Sequence, residues 1–249
     1  MFRKLLKIAG SLALILFIVV TLAFTTHESR NVVCRDIEVD FDSNDIIKVD
    51  KDELIRIVKN SDKSLLGKKL NKINAEKIEA AVEKHPAIFN AEVYKVMVKD
   101  STLYKGVLTV RVKHRVPVVR VMSDNGSYYL DELGNKIPIS QNYTANVLVT
   151  TGFFTEKYAK SELLPFVLYL KNNEFWNAQI EQVYVAKDGD VLLIPLVGEH
   201  IIEFGTLNNY REKLQKMKAF YEQVLAKNNW NKYTRISLKY KNQVVAKKR

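Results

Sequence analysis

Four histidines, one cysteine and a few adjacent acids are the side chains with which this sequence could do chemistry. His27, His85, His114 and His200 lie far apart, and none has a second donor at metal-ligand spacing, so each is expected to be a surface or partly buried imidazole. Zinc and its relatives need three or four converging donors, so no metal site is expected. There is no G-x-S-x-G elbow and no H-E-x-x-H helix, the short motifs that carry hydrolytic chemistry. Asp131 and Glu132 form a carboxylate pair, but Gly134 beside them marks a turn, where acids serve the backbone. Ser29 follows an apolar stretch, as the nucleophile of a membrane-anchored Ser/Lys peptidase would. It stands between Glu28 and Arg30, however, without the methionine-containing setting of that class. Cys34 is the single cysteine, so no intrachain disulfide is possible and a free thiol is expected. No catalytic, cofactor or metal residue follows from this inventory, which leaves binding.

The elements that would position a binding surface begin with an anchor. Residues 8–24, IAGSLALILFIVVTLAF, are uncharged, and a helix of about 17–25 such residues spans a bilayer. Arg3, Lys4 and Lys7 precede them, so residues 1–7 form a cytoplasmic tip and everything after the span lies beyond the membrane. The exit, Leu22-Ala23-Phe24-Thr25-Thr26, is a poor cleavage site, which favours an uncleaved single-pass anchor over a signal peptide. The net charge is +11 and the hydrophobic content 47%, enough for a real core. A basic surface suits nucleic acid, anionic lipid or an acidic partner. The topology removes nucleic acid, leaving a solvated surface with some membrane attraction, or an acidic protein partner.

Periodicity gives the fold class, α+β. Residues 36–114 read as β-α-α-β-β: strands at Asp36–Phe41, Val93–Val98 and Leu108–Val112, and helices opened by Asp50 and Asn74 and stopped by Pro86. Residues 115–249 read as a mixed β-domain with two helices. A hairpin covers Tyr128–Ile139, with Gly134 expected at positive φ. Short strands follow at Val147–Thr150, Ile180–Val185, Val191–Val197, Ile201–Phe204 and Arg235–Tyr240, with a last one around Val244-Val245. One helix covers Tyr158–Lys171. The other carries the stripe Leu207, Tyr210, Leu214, Met217, Tyr221, Val224, Leu225.

Several strings, in this order, resemble the FtsQ/DivIB family of bacterial cell-division proteins. Leu66-Gly67-Lys68-Lys69-Leu70, His85-Pro86-Ala87-Ile88 and Ala91-Glu92-Val93-Tyr94-Lys95 look like that family's POTRA domain. Arg115-Val116-Pro117-Val118-Val119 looks like its domain junction, and Tyr129-Leu130-Asp131-Glu132-Leu133-Gly134 like the hairpin after it. Phe204-Gly205 and Ile236-Ser237-Leu238-Lys239-Tyr240 look like its C-terminal pattern. The chain departs from the family's usual residues at Ala87, Ser237 and Lys239. The resemblance implies a non-enzymatic divisome scaffold of the inner (plasma) membrane. It would stand at the division septum with its C-terminal domains in the periplasm, and bind the coiled-coil proteins FtsB and FtsL.

By the same resemblance, the partner docks along the C-terminal edge strand, here at Lys239, Tyr240, Asn242, Val244, Val245 and Ala246. An edge strand has unpaired backbone groups that another chain can complete. Tyr240 suits a contact hot spot, although its alternation with Ile236 and Leu238 equally allows a core position. Lys239 would favour an acidic residue on the partner. Two other readings compete, an anchored extracytoplasmic peptidase and a POTRA-containing assembly or secretion factor.

Overall fold

The structure is a computed structural model, and it describes residues 10–21, 32–42, 47–100, 103–124, 126–141, 143–227 and 229–249. Residues 10–21 are helical, with Leu12, Leu16 and Phe17 exposed. Those twelve residues rise about 18 Å, short of a hydrocarbon core about 30 Å thick. Among the described residues no helix is long and apolar enough to cross a membrane. The expected span of 8–24 therefore lies partly outside the described residues, as do the tip 1–7, His27 and Ser29.

The chain divides into two compact units. One ends at His114 and the other starts at Arg115, with Ile47 and Lys48 grouped with the second. In the first unit, β1 (Cys34–Phe41) is followed by α1 (Lys51–Ser61), α2 (Ala75–Val82), β2 (Ile88–Asp100) and β3 (Leu103–His114). Local signals explain the helix starts. Asp50 accepts the Asp52 amide at 2.7 Å, and Asn74 accepts the Lys77 amide at 2.9 Å, each satisfying a donor that a helix end leaves orphaned. The sheet order is β1-β3-β2, β1 parallel and β2 antiparallel to β3. Ile37, Val39, Leu108, Val110 and Val112 alternate onto the buried face, and Leu54, Val58, Ile78 and Val82 of the helices are buried too. The outer edge of β2 is partly closed from its own unit: Glu83 accepts the Ala91 amide and Glu79 the Val93 amide.

Two sequence expectations fail in this unit. The strands β2 and β3 run well beyond 93–98 and 108–112: β2 already starts at Ile88, with Ile88 and Ala91 buried, and the two strands go on pairing as far as Lys99 and Tyr104. His114 is buried, not a surface or partly buried imidazole: its Nε2 accepts the Val49 amide at 3.0 Å. Cys34 is likewise buried at the start of β1, and burial pushes its thiol up from the usual value.

The second unit is a nine-stranded sheet in the order β12-β11-β10-β9-β8-β7-β4-β5-β6. Its strands are β4 (Val119–Ser123), β5 (Gly126–Leu130), β6 (Lys136–Pro138), β7 (Leu148–Gly152), β8 (Ile180–Val185), β9 (Val191–Pro195), β10 (Ile201–Gly205), β11 (Tyr233–Ser237) and β12 (Val245–Lys248). The expected hairpin is β5–β6, and Gly134 has φ +78°. A helical stretch, α3, runs through Glu156–Tyr158, Ala159–Leu163 in π geometry and Leu164–Lys171. Next comes α4 (Glu174–Gln179), so among the described residues the unit has three helical stretches rather than two. The last, α5 (Tyr210–Phe220), continues in π geometry over Tyr221–Leu225. Phe166, Val167 and Leu170 of α3 join Leu214, Met217 and Tyr221 of α5 over Val183, Leu193, Phe204 and Ile236 in one core.

His200 is also buried, with its Nε2 3.4 Å from the Tyr221 hydroxyl. Desolvation holds its pKa below the ordinary value. The unfolded chain then binds more protons than the folded one once pH drops below about 6.5, so stability present above that pH is lost as pH falls. Both tryptophans of the chain, Trp176 and Trp230, have ring centroids within 6 Å of Tyr221, so their fluorescence reports on this core. The thermal midpoint read from that fluorescence is expected to be lower at about pH 5.5 than at about pH 7.5. In His200→Gln the difference should shrink.

Candidate partner-binding edge

β12 is the last strand of the sheet, and among the described residues β11 is its one strand neighbour. They form an antiparallel hairpin, Ser237 opposite Val245 and Ile236 opposite Ala246. Alternation sends Ala246 toward the core and Val245 outward, where it is 45% exposed. Val244 also packs on the core. Of the six expected contact residues, Val244 and Ala246 thus offer the partner backbone rather than side chain.

Tyr240 does not belong to a strand. β11 ends at Ser237, and although Leu238 still donates its amide to the Glu203 carbonyl at 2.9 Å, the chain then turns out of the sheet. It must reverse to begin β12, and Asn242, at φ +61°, makes that reversal. Asparagine tolerates this left-handed conformation better than most residues. The turn frees Tyr240 from the alternation that buries Ile236 and Leu238, leaving it 52% exposed. The core alternative for Tyr240 is thereby excluded.

Lys239 is not waiting for a partner. Its ammonium pairs with Asp190, and that hydrogen bond raises its pKa. Two lysines of α5 reach neighbouring carbonyls: Lys216 holds this loop through the Tyr240 carbonyl at 3.0 Å, and Lys213 donates to Phe204 and Thr206 at the end of β10. Together these residues line a cleft of about 500 Å³ with Asn209, Glu212 and Lys241. Sequence reasoning missed Lys213 and Lys216, since nothing in a helical stripe says which loop its polar face meets. Exposed cations on or beside the edge include Lys241, Lys247 and Lys248.

Among the described residues, the groups with catalytic potential do not converge. Asp131 is a buried turn former, accepting from the Leu133 and Asn135 amides and from Arg115 at 2.9 Å. Burial pushes its carboxyl up, but the hydrogen bonds from Asn135 and Arg115 outweigh it and hold the group below the usual range. Among the described residues no three His, Cys, Asp or Glu side chains gather as a metal site would require.

The family model described as FtsQ/DivIB, C-terminal related, matches residues 116–247, more than half of the 249. A POTRA-like domain model matches residues 32–100. A comparison with curated proteins gave no match. The β-α-α-β-β unit and the sheet that follows it are thus accounted for together: the chain belongs to the FtsQ/DivIB family, a family of non-catalytic division scaffolds.

Proposed function

We propose that this protein is a single-pass scaffold of the division machinery that captures a coiled-coil partner of the FtsB/FtsL type by strand addition along β12. Family membership supports the role in cell division. The observation that carries the binding mode is the edge itself, a four-residue strand with one neighbour and an outward, half-exposed Val245. Tyr240 stands at the end of that edge as a stiff aromatic surface, and Lys241, Lys247 and Lys248 favour an acidic segment. Residues 8–24 anchor the chain in the inner membrane, with both folded units on the periplasmic side at the septum. The apolar, exposed surface of helix 10–21 supports that placement.

Leu238 turns its amide to β10, so Ser237 faces β12 and holds the Val245 amide, and the outward amide beside it is that of Ala246. Ala246→Pro removes that outward donor and obstructs an added strand. Pull-down with the partner's periplasmic segment is expected to fail for Ala246→Pro, while a thermal melt still shows a cooperative fold. Tyr240→Ala should weaken binding by about 1–2 kcal/mol. Two folded variants that bind normally would place the partner elsewhere.

A further inference from the structure

At the end of the POTRA-like unit where β1 begins, apolar and cationic side chains gather around the point of chain entry. The backbone of Val32–Cys34 is clasped from two sides. The Cys34 amide donates to the Lys68 carbonyl at 2.9 Å, and the Leu70 amide to the Val32 carbonyl at 3.0 Å. The Gly106 amide of β3 donates to the Val33 carbonyl at 3.0 Å. Since β1 runs parallel to β3 with Cys34 opposite Gly106, the first residues of β3 and their β2 partners overhang the start of β1.

That overhang is exposed on both faces. Lys99 stands opposite Tyr104 on one face, beside Met97, and Lys105 opposite Val98 on the other. Tyr104 is 58% exposed, and Met97 and Val98 are exposed as well. A ribbon that packs on protein buries one face. This one mixes an aromatic, Met and Val with lysine on both, the composition of a segment at a lipid–water interface. Across the chain entry, the 66–72 loop adds exposed Leu66 and Lys72.

The chain reaches Val32 from helix 10–21 through ten residues, which span at most about 35 Å when fully extended. An apolar segment seated in a bilayer would therefore keep this end of the unit close to the lipid surface, and tethering favours even weak contacts. We propose that the β2–β3 overhang and the 66–72 loop dock on anionic lipid headgroups of the membrane that holds the N-terminal helix. The inference rests on the anchor reading above. Docking would fix the orientation of the POTRA-like unit at the membrane rather than leave it to swing on its tether.

The test uses the full chain reconstituted in vesicles of phosphatidylglycerol and phosphatidylcholine, with an environment-sensitive dye on Met97→Cys or on Leu16→Cys. Cys34 is buried, and the unsubstituted chain controls for its labelling. Spin-labelled lipids are expected to quench both dyes. Replacing Lys72, Lys99 and Lys105 by Gln should release the Met97 dye, with occupancy falling roughly fivefold per lysine, and leave the Leu16 dye quenched. A quenched Leu16 dye with an unquenched Met97 dye overturns docking and keeps the anchor. An unquenched Leu16 dye overturns both. Quenching at Met97 that persists in the lysine variant overturns the headgroup recognition.

Discussion

Ile78→Asp is expected to unfold the POTRA-like unit. Ile78 is 1% exposed on α2, which packs against β2 and α1. A carboxylate there would be desolvated among Leu54, Val58, Val82 and the strand valines, or would have to bind a proton to remain. The cost is about 3–5 kcal/mol, most of what a domain of this size has to spare. In a circular-dichroism melt of residues 32–114, the unsubstituted fragment should show one cooperative transition and the Ile78→Asp fragment none. The fragment starts at 32 because Val32 and Val33 are hydrogen-bonded to the 67–70 loop and β3. A melt without a transition in the unsubstituted fragment would show that this unit depends on the rest of the chain.

Gly152→Ala should do comparable damage in the second unit. Gly152 ends β7 opposite Val185 of β8, at φ +113°, and a Cβ there would lie 2.1 Å from the Val185 carbonyl oxygen. Backbone cannot swing aside as a lysine tip could, so either the β7–β8 pairing opens or Gly152 adopts another conformation. Strain and lost pairing together amount to about 3–5 kcal/mol, or a thermal midpoint lower by roughly 10 °C or more. This seam joins β4–β6 to β8–β12, so partner binding should fall along with stability. A variant that melts like the parent would mean that the seam is more compliant than its close contact implies.

What the sequence made legible was local. The caps at Asp50 and Asn74 and the hairpin around Gly134 depend on residues a few positions apart, and each is found where its chemistry predicts, whereas the helix expected to run up to Pro86 already ends at Val82. The α3 and α5 stripes are long enough for a 3.6 period to stand out. By contrast, β4 is five residues, Val-Arg-Val-Met-Ser, directly after the domain junction, and α4 is six residues around Trp176; neither shows a full period. The burial of His114 depends on an amide 65 residues away. At the candidate edge, Arg235–Tyr240 alternates as a strand should, yet β11 stops three residues early. Asn242 has to turn the chain back, and that demand comes from the pairing of β11 with β12, not from the run of residues itself. The pairing of Lys239 with Asp190 is equally remote in sequence, and it reassigns to loop stability a cation that composition alone would offer to a partner.

The opposite margin of the nine-stranded sheet, β6, is three residues long and ends in Pro138, which pairs with Tyr128 and has no amide proton to offer. Proline and brevity both discourage further pairing along a sheet margin. Two copies therefore lack the complementary surfaces needed to stack head to tail, β12 of one on β6 of the next. Growth in that direction would give an open-ended fibre. With one margin blunted, strand addition as proposed at β12 would lengthen the sheet once and no further, and copies brought close together would not seed a polymer through β6.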